Sequence, residues 1–418
     1  MSRVVLFIAL RQLWDRKMLN GIALLGVMLG VLTLIGINGI MQGFQVKFLD
    51  NITKISPHVT IYDKQLRPSP SILARWADDF VVTHVAHESP SDRQLRINRP
   101  AEIVRAISQM DGVLGAASAL TGSAVIALGA QELPVDLRGI DPPRQDRVTP
   151  ISAYTVEGSF RRLDASSDGI LIGRGVANKI GARLDDVIKV GSPLGDKMTL
   201  KVVGIFDCGI PPVDNNRVYV TLRNAQTLLG KPDIIGRVEV KLVDPDRAPA
   251  VTEALERMFG YDAESWQETN ANFLALFAMQ NTIISFVVGA ILCVGGFGIL
   301  AVQIMIVLQK TRDIAILRSV GFRRADILVA FLLQGAIIAI VGGIVGDVIG
   351  HYVLVALSHL KTHTEGLVKS ETFLIYEDDR FYVYGLVFAF VIGVVASLIP
   401  AIRGSRVEPV DVLRGQIG

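Results

Sequence analysis

The chain is poor in what enzymes and small secreted scaffolds depend on. Only two of its 418 residues are cysteine, Cys208 and Cys293. One lies in a polar stretch and the other in an apolar run, so no disulfide between them is expected. No Cys-x-x-Cys or zinc-finger spacing occurs either. A phosphate-cradling Gly-x-x-x-x-Gly-Lys-Ser/Thr loop is also missing. The Gly-Lys pair at Gly230 and Lys231 runs into Pro232 and lacks the first glycine, so this chain is not expected to hydrolyse ATP itself. His-Glu-x-x-His and Gly-x-Ser-x-Gly are absent, and hydrolase chemistry is not expected. His84, His87 and Glu88 have a metal-like spacing, but they sit in an irregular polar stretch and zinc takes three or four placed ligands. No metal site and no directly bound cofactor are expected. Net charge is +2, which implies no global electrostatic partner and no nucleic acid.

What is present in quantity is apolar sequence. Half of the residues are hydrophobic and the mean hydropathy is +0.43, which points to a membrane protein with a sizeable polar part. Apolar runs fall at residues 21–40, 283–308, 327–357 and 381–402, each long enough to cross a bilayer. Charge is sorted around them. Arg3, Arg11, Arg16 and Lys17 precede the first run. Lys310, Arg312, Arg318, Arg323 and Arg324 lie between the second and third, and Arg403, Arg406 and Arg414 follow the fourth. The loop before the fourth run carries Glu365, Glu371, Glu377, Asp378 and Asp379. Basic loops stay in the cytoplasm, so both termini are expected inside and the large polar block outside. The first run is read as a retained anchor, because no Ala-x-Ala-like cleavage site follows it.

The expected organisation is then a cytoplasmic N-terminus (1–19), a first span with a protruding stalk helix (20–56) and an extracytoplasmic domain (57–264). A stalk helix with the second span (265–308), a short cytoplasmic helix (309–326) and a third span (327–357) follow. An outer loop (358–380), a fourth span (381–402) and a cytoplasmic tail (403–418) complete the chain. The stalk is read from Phe44, Phe48, Ile52 and Ile55 before Pro57, and from Phe273, Leu276, Phe277 and Gln280, each set recurring at helical steps. Residues 67–99 read as an irregular insertion. Strands are expected at 124–128, 135–140, 169–173, 187–190, 198–206, 218–221 and 238–242. Helices are expected at 101–110, 174–180, 224–229 and 248–259. The first and last of these resemble each other, as in a loosely duplicated α+β layer. The fold class is a four-helix membrane protein with an α+β extracytoplasmic domain.

The segment 309–326 organises the rest. Ile314, Leu317 and Val320 fall on one face of a short helix, among a cluster of basic residues. Asp313-Ile314-Ala315 followed by Arg318-Ser319-Val320-Gly321 resembles the coupling helix of ABC-transporter permeases of the MacB and lipoprotein-releasing (LolC/LolE) kind, with Asp313 where that family usually has glutamate. The tail Pro400-Ala401 through Pro409, Asp411, Leu413 and Arg414 is similar to the family's ending, departing at Gly404 and Val412. Met41-Gln42-Gly43-Phe44 and Pro57-His58-Val59 resemble the lipoprotein-releasing subgroup.

That resemblance implies a transmembrane permease subunit in a bacterial inner membrane. A second permease copy or paralogue and two copies of a separate ABC ATPase, which uses ATP and Mg, would complete the machine. Lys310, Arg312, Asp313, Ile314, Leu317, Arg318 and Gly321 would couple to the ATPase. The substrate would be lipophilic, most simply a lipoprotein drawn from membrane lipid by mechanotransmission through the stalk. Val31, Ile35, Ile40, Phe44, Phe277 and Ile284 would then face the acyl chains, although ordinary helix packing explains the same residues. Subgroup members that recruit a periplasmic carrier use a protruding hairpin. Here only seven residues, Gly191 through Lys197, lie between Val190 and Met198. A partner subunit would carry the hook, or the substrate goes elsewhere. Export of a glycolipid, peptide or drug through a periplasmic adaptor stays open, as does a signalling permease that controls an extracytoplasmic enzyme.

Asp347 is the most unusual residue of the spans, since an ionisable group there is a functional hypothesis by default. His351 is four residues on, on the same helical face. The plainer reading places both near the outer interface, with Asp347 paired to His351 or water. Gly342, Gly346 and Gly350, like Gly26 and Gly30, are spaced for close helix packing.

Overall fold

The computed structural model describes residues 2–63, 96–192, 197–365 and 369–408. His84, His87, Glu88, nearly all of the irregular insertion, the middle of the 191–197 segment, and Pro409, Asp411, Leu413 and Arg414 lie outside those residues. The chain divides into two compact units. One gathers Met1–Lys47, Ala275–His363 and Ser370–Gly418; the other gathers Phe48–Leu274 and Thr364–Lys369.

The first unit is a bundle of apolar helices. Four are long and apolar enough to cross a membrane: Lys17–Ile55, Ala271–Gln309, Arg324–Ser358 and Asp379–Ser405. Without a hydrophobic drive between helices in lipid, close backbone approach supplies the contact energy. The first and second helices meet at Gly26 and Gly295, where a Cβ on Gly295 would lie 3.0 Å from the Gly26 carbonyl oxygen. Gly342, Gly346 and Gly350 of the third helix lie against Val27, Val31 and Ile35 of the first. A further helix, Ser2–Asp15, precedes the first span, and its Gln12 pairs with Gln334 of the third helix. The sequence reading gave that segment only its charge.

The second unit is a mixed α/β domain with ten strands in one sheet system. These are β1 (Val59–Tyr62), β2 (Val113–Leu128), β3 (Gln131–Ile140), β4 (Thr155–Gly158) and β5 (Gly169–Gly173), then β6 (Val187–Gly191), β7 (Lys197–Phe206), β8 (Arg217–Thr221), β9 (Arg237–Leu242) and β10 (Asp262–Ser265). Two sub-structures share β2. In the first, the order is β10-β1-β9-β2 with antiparallel neighbours. Helix Pro100–Ser108 joins β1 to β2, and helix Ala248–Phe259 joins β9 to β10. Each helix thus crosses between two strands separated by a third, a split β-α-β arrangement. In the second, neighbours run β2-β3-β8-β5-β7-β6 and return to β2, a closed circuit of six strands. Its interior holds Leu120, Ile126, Leu137, Ile170, Ile172 and Val202, all essentially inaccessible. Strand β2 starts eleven residues before the expected 124, because Ala116, Ala117 and Ala119 are small residues that bury against neighbours without the bulk that marks a strand in sequence. In the loop before the fourth span, β11 (Lys361–Glu365) and β12 (Lys369–Thr372) form a two-stranded sheet. The fold class is the one the sequence predicts.

Candidate functional site

The 309–326 segment forms a helix at Thr311–Ser319, between the end of the second long helix and the start of the third. Gly321 has φ +108°, a left-handed turn that a side chain would strain, and it lets the chain reverse into the third helix. Asp326 accepts from the Arg323 amide at 2.9 Å and starts that helix. Ile314 and Ala315 are buried and Leu317 is half-buried. The face turned to the outside is a different one. It carries Arg312, Asp313, Ile316 and Val320, and Val320 is 77% exposed. Helical spacing groups Ile314, Leu317 and Val320 on one face; the structure corrects this, turning Ile314 inward and Val320 outward. Ile316, missed by the sequence reading, completes an apolar pair on the open face one helical turn from Val320.

The charges divide in the same way. Lys310 Nζ lies 3.1 Å from Asp313 Oδ2. Arg318 is not free: its Nη1 donates to the Val407 carbonyl. Arg324 reaches Glu408 at 3.5 Å. The described part of the tail is thus tied to the short helix and its neighbour, which brings together two motifs far apart in sequence. Pro400 sits inside the fourth helix and is buried.

At the opposite end of the same bundle is an apolar cleft of about 240 Å³. Leu34 and Asn38 of the first helix, Ile284, Val288 and Gly289 of the second, and Phe381 of the fourth line it. Of the residues expected to face a substrate, Ile284 lies on this cleft. Phe44 and Phe277 stack edge to face at 6.2 Å, with Phe277 buried, and Ile40 is half-buried. Val31 and Ile35 are a correction: they are closed off against Gly346 and Gly350 and face no open space. The cleft residues Leu34, Asn38 and Phe381 were missed, since hydropathy along one helix cannot tell which neighbours leave a gap.

Asp347 and His351 do not pair. His351 Nδ1 lies 3.2 Å from Tyr382 Oη and 3.5 Å from Glu377 Oε1, while Asp347 Oδ1 has no hydrogen-bond partner among the described residues. The fourth helix and the loop before it bring groups closer to His351 than its own helical neighbour. Both cysteines are free. Cys208 is buried, and its thiol donates to Asp214 Oδ1 at 2.9 Å; burial next to that carboxylate pushes the thiol up.

In the polar unit, one junction holds the end of the first long helix. Lys241 is 8% exposed, and its ammonium donates to the carbonyls of Thr53, Lys54 and Ser56. These are carbonyls that a helix C-terminus leaves without partners. Burial lowers Lys241 to about 8. His58 Nδ1 accepts from the Leu242 amide at 3.2 Å, so its Nε2 donates to the Thr53 carbonyl at 2.9 Å. Burial first, and then the Lys241 charge, hold His58 below its ordinary value. Among the described residues no cluster of three or more His, Cys, Asp or Glu could hold a metal.

A bundle of membrane-length helices with a short half-buried helix at one end, an apolar cleft at the other and an inserted α/β domain is the build of a transporter permease. The comparisons agree: the chain belongs to the ABC-transporter permease family of MacB, LolC and LolE. Residues 21–258 match the MacB-like periplasmic core domain and residues 269–409 the FtsX-like permease C-terminal domain. LolC of Xylella fastidiosa, a lipoprotein-releasing system transmembrane protein, is 27% identical over 94% of this chain and 92% of its own. LolC of Neisseria meningitidis is 24% identical over 94% and 93%. The macrolide export ATP-binding/permease protein MacB of Nitrobacter winogradskyi is 23% identical over 94% of this chain and 57% of its own. The periplasmic region of MacB from Actinobacillus actinomycetemcomitans aligns with 54% of this chain and 97% of its own at 14% identity, with a TM-score of 0.35. The four apolar helices and the MacB-like domain fit an inner-membrane protein.

Proposed function

We propose that this chain is the transmembrane subunit of a lipoprotein-releasing ABC transporter. A separate ATPase, using ATP and Mg, docks on the open face of the Thr311–Ser319 helix, and two permeases work with two ATPases. The tail and both termini lie in the cytoplasm, and the polar domain lies outside. The cleft at the far end of the bundle accepts the acyl chains of the substrate, and the long first and second helices carry motion to the polar domain. The observation that carries this reading is the placement of two unlike surfaces at opposite ends of one bundle. One is a charged and apolar helix face around Arg312, Asp313, Ile316 and Val320; the other is an apolar cleft beside Ile284 and Phe381. Similarity to LolC along nearly the full length of both chains supports lipoproteins over other amphiphiles.

The test is purification of the tagged protein in mild detergent with identification of everything retained, lipid-modified proteins included. Recovery of an ATPase together with mature lipoproteins is expected, with the ATPase alone lost in Asp313→Arg. An ATPase with an adaptor and no lipoproteins would replace this reading with efflux, which the short 191–197 segment also fits. No ATPase would sink the coupling argument.

A further inference from the structure

The polar domain has a second cleft that the function above does not use. It opens between helix Pro100–Ser108 and helix Pro142–Val148, over the start of β2, and has a volume of about 220 Å³. Three arginines are among its lining residues: Arg105 from the first helix, and Arg144 and Arg147 from the second. Ser108, Gly115 and Ala116 contribute to its walls, and no carboxylate is among its lining residues. Arg144 has Asp141 at 3.4 Å. Arg105 and Arg147 form no ion pair among the described residues.

The floor is unusual too. Strand β2 pairs with β9 over its first residues, and β3 joins it only from Ala119. Before Ala119, β2 therefore has a strand partner on one side only, and helix Pro142–Val148 packs against it, with Gly115 and Ala116 buried. Its register shifts between Val113 and Gly115, a bulge of the kind that re-aims groups beside binding sites. Gly115 has no side chain where a Cβ would lie 2.8 Å from Arg147 Cβ. Glycine there lets the arginine stem lie close over the strand.

We propose that this cleft binds a phosphate group, either as free phosphate or as the phosphoester of a lipid headgroup. Guanidinium forks match tetrahedral oxyanions with paired, charge-assisted hydrogen bonds. Arg105 and Arg147 line one cleft with no carboxylate paired to either among the described residues, and an anion between them would offset their mutual repulsion. The volume of about 220 Å³ takes one hydrated oxyanion.

The experiment uses the full-length protein in neutral detergent, with inorganic phosphate as the first probe and equilibrium dialysis as the readout. Saturable binding of one phosphate per chain is expected. Arg105→Gln with Arg147→Gln should weaken it by about tenfold or more, since each removes a charge-assisted bond. Both side chains are exposed, so the double variant keeps its fold, which its thermal melt checks. Dihexanoyl phosphatidic acid is the second probe. Tighter binding than inorganic phosphate identifies a lipid headgroup as the source, and equal or weaker binding identifies free phosphate. Absence of saturable binding, or unchanged affinity in the double variant, overturns the proposal.

Discussion

His58 fastens three pieces of backbone at once. Its ring bridges the Thr53 carbonyl and the Leu242 amide, and its own carbonyl accepts from the Trp266 amide at 2.9 Å. The end of the first long helix, strand β9 and the segment leading to the second long helix therefore share one residue. Because Nδ1 must accept, the neutral ring is the one that fits. A base held below its unfolded value of 6.5 is bound less tightly by protons in the folded state. Its contribution is intact above that pH and falls as pH drops through 6.5 toward the lower folded value. The polar domain is expected to melt at lower temperature at pH 5.5 than at 7.5, and His58→Asn should flatten that dependence. An unchanged slope in the variant would remove His58 as the cause. Lys241→Met should lower stability by about 1–3 kcal/mol, because buried carbonyls lose their donor; a denaturant titration at pH 7.5 measures it. The Pro57-His58 motif was visible in sequence, but its role was not. Lys241 lies 188 residues from Thr53, and no local pattern marks that pairing.

At the scale of the element, the Thr311–Ser319 helix shows what periodicity can and cannot provide. Spacing decides which residues share a face. Which face turns inward depends on the neighbours, here the second and third helices and the tail segment at Val407 and Glu408. Ile314 buries while Val320 stays open, although both lay on the same expected face. The difference separates two variants. Val320→Asp changes an exposed position, so its effect on stability is expected within about 0.5 kcal/mol, while co-purification of the ATPase is lost. Ile314→Asp places a carboxylate in the bundle and should lower the melting temperature and the yield of the whole permease. Equal loss of yield in both, or ATPase retained by Val320→Asp, would show that the open face is not the docking face. The four apolar runs needed no such partner information, because length and composition alone define a membrane-crossing helix.

Over the whole molecule, the separation of two surfaces within one bundle is what makes the proposed mechanism testable. The four apolar runs fall within the four membrane-length helices, and the fold class matches the expectation. The sequence reading did not find the six-stranded closure, since β6 joins β2 and β7 through pairings that only the folded sheet brings together. The apolar cleft escaped it for the same reason, as its walls come from three helices. Gly289 lies on that cleft, and a Cβ there meets nothing within 4 Å. Gly289→Leu therefore fills space without displacing backbone, and adds apolar surface where an acyl chain would sit. The variant is expected to assemble with the ATPase and to hydrolyse ATP, but to retain less lipoprotein on purification. Val320→Asp is expected to do the reverse, retaining lipoprotein without the ATPase. Measuring ATPase activity and bound lipoprotein on the same two preparations tests both ends together. If Gly289→Leu holds as much lipoprotein as the parent, the substrate does not occupy this cleft. If the two variants lose the same partner, the surfaces are not independent, and the transfer of motion from one end of the bundle to the other has to be replaced by a single shared site.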